Sequence, residues 1–412
     1  MMNESLTIPR PFQPFAMAII GFLFLTVTTL LGHNELFNNL HIELVFLLLS
    51  IATTVHLFSK KIMNGQDFPP LVSILILCVF IFICSPLITS LFNQDYLAIL
   101  KNDEYKSLFK MSLFCPIAYL GFSNKKISPL LLKFFTFFYA ILGFYFLYRY
   151  LILHEVREYD LRPALKMRHG DANFLCTFFS MMVPLPLMQA WWSYKSNQKI
   201  NMIIMISTAL FLMVCAILTQ SRMGLIALLI GMIYLFSKPL ISSKVKVTLV
   251  ALLLVFSGAL TYSVGENLIH RYSQLSDKSN SDRFLTFKNG FKVFEDNPVI
   301  GAGFHRAKYS FYENTQYPHF QSEFRPLEVH NTPLSLLAEL GLLGFASFGL
   351  IFLMSLKIVS KSTHPGKPFL LCSLFILFLS GMSVGIAYKD LVLLQMIIIA
   401  GISQAQLYRG DI

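Results

Sequence analysis

Charge is scarce in this chain. Asp, Glu, Lys and Arg make up 13% of the 412 residues, about half the share of an average soluble protein. Tryptophan occurs twice, and the six cysteines show no CxxC spacing. That excludes a disulfide framework and a zinc site, and leaves the thiols as small core residues inside apolar runs. HExxH, P-loop, GxSxG and DxD motifs are all missing, which removes the zinc proteases, the nucleotide-triphosphate enzymes, the serine hydrolases and the metal-dependent users of soluble nucleotide sugars. No internal repeat or low-complexity tract is present. The first residues, MMNESLTIPRPFQPF, lack a signal-cleavage pattern, so the first apolar run is expected to remain as a span.

What is abundant is apolar surface. Residues of the set AVILMFWYC form 55% of the chain, and the mean hydropathy is +0.62. A water-soluble fold of this length cannot hide so much. The expectation is an all-α polytopic membrane protein, because lipid offers backbone groups no water to bond. Roughly 20 apolar residues cross a hydrocarbon core about 30 Å thick. Twelve runs fit: about 12–32, 41–58, 70–92, 108–123, 129–153, 173–193, 200–219, 223–237, 246–264, 334–356, 368–387 and 391–407. The expected organisation is nine spans within 1–264, interrupted by a short outer segment at about 154–172, then a large outer loop at 265–333, then three spans within 334–412.

The net charge of +11 would suggest nucleic acid in a soluble protein. Placed on the loops it is an orientation signal. With the N-terminus cytoplasmic, Lys60, Lys61, Lys125, Lys126, Lys195, Lys199, Lys238, Lys244, Lys246, Lys361 and Lys367 all fall on the inner side, as the positive-inside rule requires. Arginine segregates the other way: only Arg10 and Arg409 are inside, and the rest lie on the outer face. A guanidinium gives a planar fork suited to phosphate, so an anionic ligand is expected there, with pairing to the outer acids as the plainer alternative.

Particular residues sharpen this. Arg222, in LTQSRMGL, lies next to lipid beside Gln220 and Ser221, with Gly224 permitting close approach; a charge so placed is costly unless used, or else it snorkels to the interface. Ser281-Asp282-Arg283 is expected to open an amphipathic helix striped by Phe284, Phe287, Phe291 and Phe294, with Ser281 or Asp282 as its cap and Arg283 in the first turn, where free amides favour an anion. Asp296-Asn297-Pro298 should end that helix, and Gly301-Ala302-Gly303, without a preceding strand, reads as a turn. His330 precedes Asn331-Thr332-Pro333, where Thr332 as N-cap and Pro333 at N1 would start a helix. An imidazole at that mouth can take a proton from a hydroxyl, or merely cap. Glu339, inside the same apolar helix, is expected to pair. His169-Gly170-Asp171-Ala172-Asn173 precedes another span near Arg162, Lys166 and Arg168, with Asp171 or Asn173 as a candidate cap.

Four stretches in order, HGDANFLC at 169–176, TQSRMGL at 219–225, DRFLTFKNGFKVFEDNPVIGAGF at 282–304 and HNTPLSLLAELGLLG at 330–344, resemble the bacterial O-antigen ligases, which share this region with O-antigen polymerases and protein O-oligosaccharyltransferases. The resemblance implies a GT-C-like inner-membrane glycosyltransferase with cytoplasmic termini. It would move glycan from undecaprenyl diphosphate to a sugar hydroxyl of lipid A-core at the periplasmic face, with inversion and with no metal or cofactor. It further implies that Arg222 and Arg283 hold the diphosphate and that His330 is the base. Arg168, Asp171, Asn173, Asn331 and Glu339 are the remaining expected substrate-side residues. A polymerase using the same donor, and a transporter of lipid-linked glycan, are the alternatives. Expected partners are the lipid-linked donor, the lipid A-core acceptor and membrane lipids, with no nucleic acid.

Overall fold

Apolar runs long enough to span lipid can satisfy their backbone only as helices, and among the described residues the chain has no strand. The computed structural model describes residues 70–93, 99–100, 102–155, 171–239, 277–306, 329–386 and 390–405. The helices are α1 (Pro70–Phe92), α2 (Asp103–Ser123), α3 (Ser128–Leu147, extended by a π-turn at Tyr148–Ile152), α4 (Ala172–Met182), α5 (Pro184–Lys195), α6 (Lys199–Leu218), α7 (Arg222–Ser237), α8 (Asp277–Asp296), α9 (Thr332–Lys361), α10 (Lys367–Gly381) and α11 (Asp390–Gln404). Five stretches among them are long and apolar enough to cross a membrane: Leu71–Phe92, Ser128–Ile152, Ala172–Lys195, Lys199–Leu218 and Thr332–Lys361. The expected spans at 12–32, 41–58 and 246–264 lie outside the described residues.

The consecutive α4 and α5 form the axis of the bundle. Their most apolar window is 94% buried by protein, against 28% for the peripheral α6. Without a hydrophobic drive between helices in lipid, close packing and polar contacts hold a bundle together. Here Tyr139 on α3 donates to Gln395 Oε1 on α11 at 3.0 Å, Gln189 on α5 donates to Thr136 on α3 at 2.6 Å, and Ser373 on α10 bonds the Met181 carbonyl of α4. Small residues allow the approach: a Cβ on Gly231 of α7 would fall 2.5 Å from Ile376 of α10. Pro86 removes an amide from α1, and the Phe82 carbonyl it frees accepts the Ser85 hydroxyl at 2.7 Å.

Helix α9 is broken. Gly341 takes φ 61° and ψ −160°, a region essentially restricted to glycine. Residues 341–361 are then about 31 Å long, the thickness of the hydrocarbon core, and Thr332–Leu340 is a separate half-helix. Its severed ladder is completed from outside. The amides of Ala302 and Gly303 donate to the carbonyls of Ala338 and Glu339 at 2.9 and 3.0 Å. On the far side of the break, Leu342 and Leu343 donate to the carbonyls of Pro298 and Val299 at 2.9 and 3.3 Å. The segment Pro298–Gly303 thus replaces one turn of helix.

The turn between α9 and α10 carries His364, which is buried against Trp192 with its Nδ1 accepting the Gly366 amide at 3.0 Å. Burial lowers its pKa from 6.5 to about 4.

Two predictions follow from these features. Gly341→Ala would place a Cβ 2.4 Å from the Val299 carbonyl on top of the forbidden backbone angles, so a loss of roughly 3 kcal/mol or more is expected, read as a lower unfolding temperature of the purified protein in detergent. Because the folded pKa of His364 is depressed, the unfolded chain binds the extra proton first. Stability should therefore fall as the pH drops from about 6.5 to about 4, by roughly 3 kcal/mol in total. His364→Asn, which keeps an acceptor for the Gly366 amide without titrating, should flatten unfolding temperature against pH over that window.

Candidate functional site at one end of the bundle

Two groups of polar residues occupy the same end of the bundle. The first surrounds Arg222. The turn Thr219–Ser221 between α6 and α7 is buried, and Gln220 holds a positive φ of 57°. Its amide nitrogen lies 3.3 Å from the Tyr150 hydroxyl at the end of α3, which fixes the turn. Arg222 opens α7 and is half-buried. A Cβ on Gly224 would meet Cys176 Sγ at 2.5 Å, so α7 starts hard against α4. Asp171 caps α4, accepting from the amides of Asn173 and Phe174 at 2.8 and 3.4 Å. Of the two candidate caps, Asp171 is the one used, and Asn173 is buried in the first turn.

The second group surrounds His330. Asn331, not Thr332, is the N-cap of α9: its side-chain oxygen accepts the Leu334 amide at 2.9 Å, and the helix begins at Thr332 with Pro333 still in its first turn. Thr332 is drawn into the helix because its hydroxyl is committed elsewhere, donating to the Val384 carbonyl at 2.6 Å and accepting the Ile386 amide at 2.9 Å. Asn331 Nδ2 also donates to the Met382 carbonyl at 2.8 Å. His330, half-exposed, therefore sits beside the end of α10. Glu339 is buried at the break, where one carboxylate oxygen accepts the His305 amide at 3.0 Å.

Helix α8 lies against the half-helix of α9. A Cβ on Gly290 would touch Leu334 and Val329 at 3.1–3.2 Å, and Val293 packs with Val329, Leu334 and Ala338. Its buried face also carries Thr286 and Asn289. Phe284, Phe287 and Phe291 are exposed on the opposite side, where an aromatic stripe can rest on a lipid surface. One expectation fails here. The helix starts at Asp277, so neither Ser281 nor Asp282 caps it, and Arg283 lies in the second turn. An amide there is already bonded within the helix, so Arg283 gains nothing from free N–H groups. The polar run Asp277-Lys278-Ser279-Asn280 extends the helix backwards, and an acid at its start suits the dipole. The Arg283 side chain and the whole of Arg168 lie outside the described residues.

Helix contacts place the two groups at one level. Met181 of α4 meets Ser373 of α10, and Met188 of α5 meets Gly366, so α4–α5 runs antiparallel to α10. Cys176, five residues before Met181, is then level with about residue 378 of α10, and Cys176 is the residue that meets Gly224. Asn331 meets Met382, roughly 6 Å further along at 1.5 Å per residue. The starts of α7 and α9 therefore share the same end of α10. Lys195, Lys199, Lys361 and Lys367 lie at the other end.

Residues 207–349 match the family model described as O-antigen ligase. The match covers about a third of the chain and supports the O-antigen ligase family. It takes in Arg222, Arg283, His330, Asn331 and Glu339. The family match supports an O-antigen ligase or polymerase type of function in general, acting on lipid-linked glycan in a membrane. No curated protein matches the chain.

Sequence reasoning passed over Glu104 and His305. Glu104, in the first turn of α2, lies 2.5 Å from the His305 imidazole. The signal was available in GAGFH, where a histidine directly follows the turn, but its partner is some 200 residues away.

The approach of α7 to α4 can be tested by crowding and relief. Gly224→Ala should destabilise by about 1–3 kcal/mol, and adding Cys176→Ala should recover part of the loss, read as unfolding temperature in detergent. Additive losses would count against that contact.

Proposed function

We propose that this protein is a ligase-type glycosyltransferase. It transfers glycan from undecaprenyl diphosphate to a sugar hydroxyl of lipid A-core at the periplasmic face of the inner membrane. The observation that carries the reading is the family match, together with the arrival of Arg222 and His330 at the same end of α10.

The reaction is a single displacement at the anomeric carbon. The bond from that carbon to the diphosphate oxygen breaks, and the lipid diphosphate leaves with the electron pair. The bond to the acceptor oxygen forms on the opposite face, with inversion, and the acceptor proton passes to the His330 imidazole. Arg222 and Arg283 neutralise the charge that grows on the leaving diphosphate, a role for which a bidentate fork serves better than a point charge. They would supply without a metal the stabilisation that a divalent ion gives elsewhere. Asn331, Asp171, Asn173 and Arg168 are the further residues assigned to the substrate side, and Glu339 supports them from the break in α9. The exposed phenylalanines of α8 hold the outer segment at headgroup level, where a lipid-borne donor meets a lipid-borne acceptor.

Removing one charge-stabilising donor costs about 2.7–4 kcal/mol in barrier, or 10²- to 10³-fold in rate. Arg222→Ala, Arg283→Ala and His330→Ala should each nearly abolish joining of purified lipid-linked glycan to lipid A-core, at normal protein abundance. Arg283→Lys should remain strongly impaired. A deletion strain decides the acceptor: bare core with accumulated lipid-linked polymer indicates a ligase, whereas core bearing a single repeat indicates a polymerase. Normal transfer by the Arg222 variant would remove the proposed role.

A further inference from the structure

We infer that Glu104 is a positioning residue for His330, acting through His305 and Glu339; this rests on the proposed role of His330. The half-helix Thr332–Leu340 carries His330 at its outer end and is hinged at Gly341, where the helical ladder is interrupted. Helical continuity therefore does not fix its tilt. Helix α8 packed along its side and contacts at its two ends do. At the outer end, Asn331 and Thr332 bond the segment Met382–Ile386. At the hinge, the amides of Ala302 and Gly303 cap the last carbonyls, and the His305 amide bonds the Glu339 carboxylate.

The hinge is only as fixed as the segment that caps it. That segment is tied to α1 up to Gly301: Thr89 Oγ1 donates to the Ile300 carbonyl at 2.8 Å, and Asn93 Nδ2 reaches the Gly301 carbonyl at 3.5 Å. Beyond it the backbone passes through Gly303 and His305, both at positive φ. There the ties run to α2. Phe304 packs edge-on against Tyr105, with ring centres 6.1 Å apart, and His305 Nε2 meets Glu104 Oε2 at 2.5 Å. The His305 side chain is 15% exposed and that of Glu104 34%, but the two atoms that meet are themselves buried, so the ion pair is less screened than a fully exposed one. The path is thus continuous: the Glu104 carboxylate, the His305 imidazole, the His305 amide, the Glu339 carboxylate, the half-helix, His330.

The half-helix is about 13 Å long. A tilt of about 5° at the hinge moves its outer end by about 1 Å, and a misplacement of that size can cost as much as 100-fold in rate. The group that moves is the proposed base, so the loss should fall on the chemical step and leave ground-state binding intact.

The test uses the full-length protein in lipid nanodiscs, with initial rates measured against donor and acceptor concentration. Glu104→Ala should lower kcat by about 10- to 100-fold with both KM values within about twofold of wild type. Glu104→Gln, which keeps the side chain's length and an oxygen facing the imidazole, should recover most of the rate. The double variant Glu104→Ala/His305→Ala should be no slower than the slower single variant, because both lie on one path. Should Glu104→Ala fail to fold, Glu104→Asp is read instead: its shorter reach should lower kcat at unchanged KM. Wild-type kcat in the folded variant, a raised KM with kcat intact, or no recovery with Glu104→Gln would overturn the inference. So would His305→Ala as inactive as His330→Ala, which would make His305 a catalytic group. Active His330→Ala would remove the reading of the site and the positioning role with it; inactive His330→Ala beside a fully active Glu104→Ala would remove the positioning role alone.

Discussion

Lipid gives a backbone amide nothing to bond, and that constraint organises this protein. It turns the apolar runs into helices and makes any interruption in them expensive. Helix α9 is nevertheless interrupted at Gly341. The interruption survives because Pro298–Gly303 supplies two donors and two acceptors to the severed ends. A helix thirty residues long would otherwise run straight through and beyond the bilayer. The break converts its first turns into a separately aimed piece, and that piece carries His330. The substituting segment is itself braced by Thr89, Asn93 and Glu104 from α1 and α2. The hinge therefore joins elements from the first and last parts of the described chain.

The Arg222 side is built by other means. There the chain turns sharply between α6 and α7 through a positive-φ glutamine tied to Tyr150, and a glycine lets α7 begin in contact with Cys176. Both devices fix where a guanidinium can stand at a lipid boundary. Helix α10 is the shared wall: α7 and α4 pack along it, and its C-terminal end bonds the start of α9. Arg222 and His330 are thereby referred to one rigid element.

Much of the element structure was legible in the sequence. The runs at 70–92, 129–153, 173–193 and 200–219 coincide with helices because continuous hydrophobicity leaves no alternative in lipid. The end of α8 at Asp296 follows from the proline two residues on. Caps were less legible. Thr332 looked like the cap of α9, but its hydroxyl is engaged by Val384 and Ile386, and Asn331 takes the role. The start of α8 was placed five or six residues late, because Ser281 and Asp282 are good caps locally while the polar residues before them are equally compatible with helix.

The sequence alone determined that the described residues form apolar helices suited to lipid, and which short motifs lie in the region that matches the family. Those properties depend on composition and local pattern, and transfer from water to lipid reads both directly. The tertiary structure alone decided that Gly341 breaks α9, that Gly301-Ala302-Gly303 is the piece that mends it, and that Glu104 meets His305. These are pairings between residues 36 to 201 positions apart, and their energies come from hydrogen bonds and an ion pair whose partners meet only once the helices have packed.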